Sequence, residues 1–215
     1  DRSPSRGLGD VYKRQPSLTQ KPAQQLKTDI LNQIVSYDTL YLTDFGNDLR
    51  RSKLSALIDQ ADNSIVSNSL NLRAIYKITP RRDVSENIIF SFDNAIDRPI
   101  KYPYNISETE VIRSSTFSYN DNNNIITNAR LTDDGMGNLR IYYTTALSPV
   151  VILESNVGTV DYTTGKLNFN INAWDYIQSI DIYAKFANPD IIVKTNKFLK
   201  IDYSKININI NVFSQ

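Results

Sequence analysis

Apolar residues recur at helical spacing from Gln24 to Leu42, and the pattern then changes twice before it settles into strands. Leu26, Ile30, Ile34, Tyr37 and Tyr41 follow at intervals of four, four, three and four, which places them on one face of a helix. Leu31, Val35 and Leu40 widen that face, while Lys27, Asp29, Asn32 and Gln33 supply the polar side. Phe45-Gly46 interrupts the pattern. Glycine tolerates the positive φ at which a helix stops and the chain reverses, and Phe45 beside it is expected to plug a helix–helix corner. A second helix is predicted to follow, capped by Ser52 or starting at Asp48, with Leu54, Leu57, Ile58 and Ala61 on its buried face. Asp62-Asn63-Ser64 and Ser67-Asn68 mark turns. From Leu70 the period becomes two: Leu70, Leu72, Ala74, Tyr76 and Ile78 alternate with Asn71, Arg73, Ile75, Lys77 and Thr79, up to Pro80. The expected product is a helix-helix-strand module whose sheet is short of strands, the missing ones expected upstream of this sequence.

Beyond Glu86 no helical period is evident. Strands are predicted over Asn87–Phe92, Val111–Tyr119, Ile125–Leu131, Leu139–Thr145, Val150–Glu154, Thr159–Tyr162, Lys166–Ile171, Ser179–Phe186 and Leu199–Phe213. Turn chemistry separates most of them, at Asp121 to Asn124, Asp133 to Gly137, and Thr163-Thr164-Gly165. Short strands at this spacing predict an antiparallel β-sandwich or barrel-like domain. The fold class is therefore α+β. Three regions are expected: residues 1–15 as an artefactual or disordered tail, 16–82 as an α+β contact module, and 83–215 as a β-rich domain. Ile206 to Val212 alternates strictly between aliphatic residues and asparagine. It reads as a final sheet strand or an edge that pairs with a neighbouring subunit.

The composition removes most chemistry. The 215 residues contain no cysteine and no histidine. That excludes disulfides, thiol nucleophiles, thiolate metal sites and the Ser-His-Asp and Cys-His constellations. A metal would have to be a hard ion held by carboxylates. Carboxylate-pair chemistry survives, but no pair such as Glu108/Glu110 or Glu154/Asp181 is positioned by the sequence. No apolar run is long enough for a membrane-spanning helix.

The first fifteen residues, DRSPSRGLGDVYKRQ, resemble translated sequencing-adapter read-through found at the ends of metagenomic reading frames. They show no periodicity, and the exclusion changes the charge. Of 24 basic and 23 acidic residues, the tail holds Arg2, Arg6, Lys13 and Arg14 against Asp1 and Asp10, leaving 20 and 21. The formal +1 becomes −1, with no basic footprint for nucleic acid. The same exclusion carries the expectation that the sequence is the C-terminal piece of a longer protein.

Motif-like clusters read blandly. Asp133-Asp134-Gly135 with Asn138 has acidic character but neither the ligand spacing nor the terminal Glu of an EF-hand, so a hairpin turn is the better reading. Gly158 to Gly165 lacks the Lys-Ser/Thr of a phosphate loop and reads as a β-hairpin. Tyr102-Pro103-Tyr104, Tyr142-Tyr143 and Trp174-Asp175-Tyr176 could line a sugar-binding face, although aromatics also belong in strands and protein interfaces.

Three stretches, taken in order, resemble a known family. They are Leu42 to Phe45 with Arg51-Ser52-Lys53-Leu54 and Ile58 to Asn68; the hairpin Gly158 to Gly165; and Ile182-Tyr183-Ala184-Lys185 with Asn188 to Ile191 and Asn196 to Asp202. Together they resemble the C-terminal half of a baseplate wedge protein of T-even-like contractile-tailed phages, within the wider baseplate J-like group. The likeness covers about Lys21 to Asp202. Asp83 to Pro149 matches only in having strands, and the large N-terminal region of family members is not present.

The resemblance implies a non-catalytic virion protein of the phage tail, located in the baseplate and assembled in the host cytoplasm. Such subunits self-associate, contact other wedge proteins, and join wedges into a ring around the tail hub that rearranges when the sheath contracts. No catalytic, cofactor or metal residue is expected. Phe45, Leu54, Leu57 and Ile58 are expected to form the module's core, and Asp48, Arg50, Arg51 and Lys53 its subunit contacts. The alternative is a carbohydrate-binding β-module of a tail fibre or glycosidase, which would need Trp174 and several tyrosines exposed and coplanar.

Overall fold

A computed structural model describes residues 8–14, 21–98, 111–148, 150–174, 179–194 and 196–212. The chain divides into two compact units. The first comprises Asp1–Leu72 with Pro189–Gln215, and the second Arg73–Asn188. The division falls ten residues before the expected boundary at Arg82, and the last segment of the chain returns to the first unit.

The first unit contains both helices. Helix α1 spans Ala23–Tyr41 and buries Leu26, Ile30, Ile34 and Tyr37, the stripe that the spacing predicts. The stripe is narrower than expected: Val35, Leu40 and Tyr41 are exposed. Helix α2 spans Arg51–Asp59 and buries Leu54 and Ile58. Ser52 lies inside this helix and does not cap it; the N-cap position belongs to Arg50.

The sheet of this unit has the order β12-β1-β2, with β1 at Leu8–Arg14, β2 at Ile65–Ser69 and β12 at Ile206–Val212. Strand β1 runs parallel to β12, from Leu8 opposite Ile206 to Arg14 opposite Val212, and antiparallel to β2. Two expectations change here. The partners of β2 come from within this chain, and residues 8–14, which show no periodicity, form the middle strand. A strand flanked on both sides draws its stability from two ladders of backbone hydrogen bonds, which amphipathic periodicity does not report. In β12, Ile208 is buried while Asn207, Asn209 and Asn211 are exposed, as the alternation predicts.

The stretch from Leu70 to Ile78 is not one strand. β2 ends at Ser69 and β3 begins at Ala74, in the other unit. The helix-helix-strand module is thus replaced by two helices on a three-stranded sheet.

The second unit is a curled antiparallel half-barrel. Its strands are β3 (Ala74–Ile78), β4 (Glu86–Ser91), β5 (Ile112–Ser114), β6 (Phe117–Asp121), β7 (Asn124–Asp133), β8 (Asn138–Tyr143), β9 (Val151–Asp161), β10 (Lys166–Ile171) and β11 (Ile180–Ala184). The order is β3-β11-β5-β7-β8-β9-β10-β4, with β6 on β7. The barrel-like expectation lies nearer to this curl than the sandwich does. The predicted strands at Val150–Glu154 and Thr159–Tyr162 merge into the single strand β9, and Val111–Tyr119 divides into β5 and β6. Asn122 and Asn123, with φ of 49° and 71°, make the two-residue turn between β6 and β7.

The two outermost strands, β3 and β4, meet through their side chains. Tyr76 stacks on Phe90 with ring centroids 3.9 Å apart and planes 4° from parallel. Phe90 in turn contacts Phe92 and Phe169 edge-on. Inside the curl, Ile112, Phe117, Leu131, Leu139, Ile141, Leu167 and Ile182 form the core.

Candidate subunit-contact surface

Helix α2 is short and lacks a side-chain cap of its own. Free N–H groups at a helix start need acceptors, and here they come from distant residues. The buried Tyr37 hydroxyl of α1 accepts from the Arg50 N–H at 2.8 Å and can donate to the Arg50 carbonyl at 3.3 Å. Burial pushes the Tyr37 phenol above its ordinary pKa. The Asp190 carboxylate accepts from the Arg51 N–H at 2.9 Å, at the end of α2 where the helix dipole favours a negative charge. Asp190 also meets the Arg50 guanidinium at 3.2 Å, which pairs with Asp48 at 3.1 Å.

A second run of chain lies along this end of the helix. Leu49 and Ile191 exchange backbone hydrogen bonds, the Val193 N–H donates to Asp48, and the Gly46 N–H donates to the Lys197 carbonyl. Gly46 has a φ of 77°, so the expected reversal after α1 occurs there. At the other end of the segment Tyr203 donates to Asp38; burial and this bond push its phenol up to about 12.

The proposed polar contacts are therefore engaged within the unit. Asp48 and Arg50 pair with each other, and Arg51 Nε donates to the Leu70 carbonyl at 3.0 Å. Lys53 is exposed, with its ammonium 5.2 Å from the Tyr41 ring centroid. Of the proposed core, Leu54 and Ile58 are fully buried and Leu57 is half-buried. Phe45 is not core: it is 67% exposed. It sits in the loop after α1, where Gly46 directs the chain to Lys197 and leaves the ring outside the helix corner.

Phe45 packs edge-on against Phe198, itself 58% exposed, with centroids 5.6 Å apart. The two rings form an aromatic pair on the surface of the unit. Aromatic rings of this kind, with few rotatable bonds, are favoured anchors in protein interfaces. Tyr37 and Asp190 as partners of α2, and Phe198 as the partner of Phe45, are not legible in the sequence. Their roles depend on a return of the chain that no local pattern encodes, although Asn188 to Ile191 lies within the stretches that carry the family resemblance.

Other candidate chemistry is accounted for by hydrogen bonds. The Asp133 carboxylate accepts from Ile112 N–H, Gly135 N–H and the Tyr162 hydroxyl. Asp134 accepts from Met136, from the Asn138 N–H and from the Asn138 amide. These donors fill the carboxylates as a hairpin turn requires, and among the described residues no group of three or more acidic side chains could hold a metal. The guanidinium of Arg82 lies 5.0 Å from the Trp174 ring centroid, and Tyr142 is buried. Tyr102, Tyr104 and Tyr176 lie outside the described residues. Among the described residues no helix is long and apolar enough to cross a membrane.

Residues 11–76 match the family model of baseplate structural protein gp6, C-terminal domain III. The match supports a structural protein of a phage baseplate. It covers less than a third of the chain, takes in α1, α2 and β2, and starts at Val11, inside the segment that resembles adapter read-through. No curated protein matches the chain. The match supports a location in the virion tail baseplate, assembly with other baseplate proteins and a non-enzymatic role.

Proposed function

We propose that the chain is part of a baseplate wedge subunit whose helix-bearing unit holds one subunit against the next. In this reading the contact links wedges into a ring around the tail hub, assembled in the host cytoplasm, and the ring rearranges during sheath contraction. The observation that carries it is the exposed Phe45–Phe198 pair, flanked by the Gly46–Lys197 hydrogen bond, in the unit that bears most of the family match. Asp48, Arg50 and Arg51 support this surface by holding the segment after Phe45 through Val193, Asp190 and Leu70, and the exposed Lys53, beside Tyr41, is a further candidate contact.

The test is co-sedimentation of the chain with other wedge proteins of the same phage. Wild type is expected to enter a complex, and Phe45→Ser with Phe198→Ser to lose it while keeping the far-ultraviolet circular dichroism of the parent. Failure of the wild-type chain to join wedge partners at high concentration would sink the proposal, as would an undiminished complex with the double variant.

A further inference from the structure

In the second unit, β9 and β10 separate part-way along their length, and the gap between them is a cleft. They pair from Lys166 opposite Asp161 to Phe169 opposite Gly158 and no further. At Gly158 they approach too closely to admit a Cβ, so this crossing is a pivot. Beyond it, Asn170 and Ile171 pair with Asn87 and Glu86 of β4 and not with β9. On the other side of β9, Leu139 of β8 stands opposite Gly158 and Ile141 opposite Glu154. Two steps along β8 thus span four along β9, and Ser155, Asn156 and Val157 have no register partner on either neighbour. Irregularities of this kind re-aim side chains and recur beside binding sites. The resulting cleft has a volume of about 460 Å³, within the range of small-ligand sites.

Its chemistry is polar and mixed. The Tyr119 hydroxyl donates to Glu154 Oε1 at 3.1 Å, which leaves the second carboxylate oxygen as an acceptor. Asn156 Oδ1 accepts from the Gly158 N–H and Asn170 Oδ1 from the Asn87 amide, so both side chains keep N–H donors. Asn172, also in the lining, has its Oδ1 buried with no partner among the described residues. A buried acceptor left unpaired calls for a donor. Val157 and Ile171 add apolar surface, and among the described residues no lysine or arginine lines the cleft.

These groups discriminate between classes of ligand. A phosphate or carboxylate would meet the like charge of Glu154 with no cation to hold it. An ammonium group carries donors only; it would serve Glu154 and Asn172 and leave the amide N–H groups of Asn156 and Asn170 unused. A sugar hydroxyl donates and accepts at once, and the C–H face of a sugar ring can lie on Val157 and Ile171. An uncharged polyol matches the whole set.

We infer that the cleft between β9 and β10 binds an uncharged sugar, held by Glu154, Asn156, Asn170 and Asn172. The site does not use the Trp174 ring, and it stands independently of the subunit contact at Phe45 and Phe198.

Saturation-transfer nuclear magnetic resonance on the full chain tests it. The probes are the methyl glycosides of glucose, galactose, mannose, N-acetylglucosamine and N-acetylgalactosamine. At least one is expected to receive saturation from the wild type, while methyl glucuronide and lysine amide receive none. Asn170→Ala, at an exposed position, and Glu154→Ala are each expected to weaken binding about fivefold or more, the effect of one lost hydrogen bond. Trp174→Ala, and Phe45→Ser with Phe198→Ser, should leave binding unchanged, so the cleft and the subunit contact can fail separately. No transfer to any neutral glycoside at millimolar concentration would overturn the inference. So would transfer to lysine amide alone, or binding that survives both Asn170→Ala and Glu154→Ala.

Discussion

In the second unit the strands from β3 to β4 form one continuous ladder, closed at its ends by the Tyr76–Phe90 stack. In the first, three strands from widely separated parts of the chain meet, and α2 begins on acceptors supplied by Tyr37 and Asp190. One unit stabilises itself mainly through apolar side chains inside a curl. The other depends on polar pins that hold exposed aromatic rings in place. The contrast separates a part suited to bearing structure from a part suited to touching a neighbour.

The largest effect is expected at Gly158, where β9 and β10 approach closely. A Cβ there would stand 2.1 Å from the Asn168 carbonyl oxygen and 2.4 Å from the Phe169 Cα. Backbone atoms cannot yield as a flexible side chain can, so Gly158→Ala should cost about 4 kcal/mol or more, at the exceptional end for single substitutions. Urea denaturation should show it as loss of the second unit's transition. A change below about 1 kcal/mol would mean that the two strands separate easily.

Next is the distant cap. Asp190→Ala removes the acceptor of the Arg51 N–H and one partner of Arg50. The first unit should lose about 1–2 kcal/mol, the ordinary value of a helix cap, while the second unit's transition stays unchanged. If both transitions moved together, the contrast between the units would be lost.

Alkaline pH tests burial in both units. Burial raises Tyr37 and Tyr203 in the first unit, the latter to about 12, and Tyr119 and Tyr162 in the second, Tyr119 to about 12. Tyr119 is also held up by its bond to Glu154, and Tyr162 by the charge of Asp133. Because the folded phenols keep their protons longer than the unfolded ones, their contribution is complete below pH 10.0 and falls as pH rises toward about 12. Ultraviolet titration should show Tyr37, Tyr119 and Tyr162 ionising only with unfolding and the exposed Tyr203 at about 12, and Tyr162→Phe should flatten the alkaline slope of the second unit.

The smallest stability effect is expected at Phe45, the residue proposed to meet a partner. Phe45→Ser should change folding stability by no more than about 0.5 kcal/mol, since the ring is largely exposed. Its measurable consequence lies in assembly. A drop in melting temperature comparable to that of Asp190→Ala would mean that Phe45 belongs to the interior after all.

Much of the fold follows from local patterns. The period of α1, the alternation of β12 and the asparagine turn after β6 each depend on neighbours a few residues apart, and each is legible. Leu70 to Ile78 is not, because alternation continues across a break: Leu70 is buried in the first unit and Ile78 in the second, so one pattern serves two sheets. Phe45 misleads in the opposite direction, since an aromatic ring beside a glycine turn looks the same whether it plugs a corner or faces outward. The cap of α2 is hidden because its acceptor stands some hundred and forty positions away.

The parallel pairing of β1 with β12 sets an order of events during synthesis. Among the described residues, every strand of the second sheet lies within residues 73–188, so that stretch can fold as it leaves the ribosome. Strand β1 emerges early but has to wait for residue 212 before its parallel neighbour exists. Closing such a long loop is entropically slow. The unit that carries the exposed aromatic rings is therefore completed last, after the rest of the chain has folded.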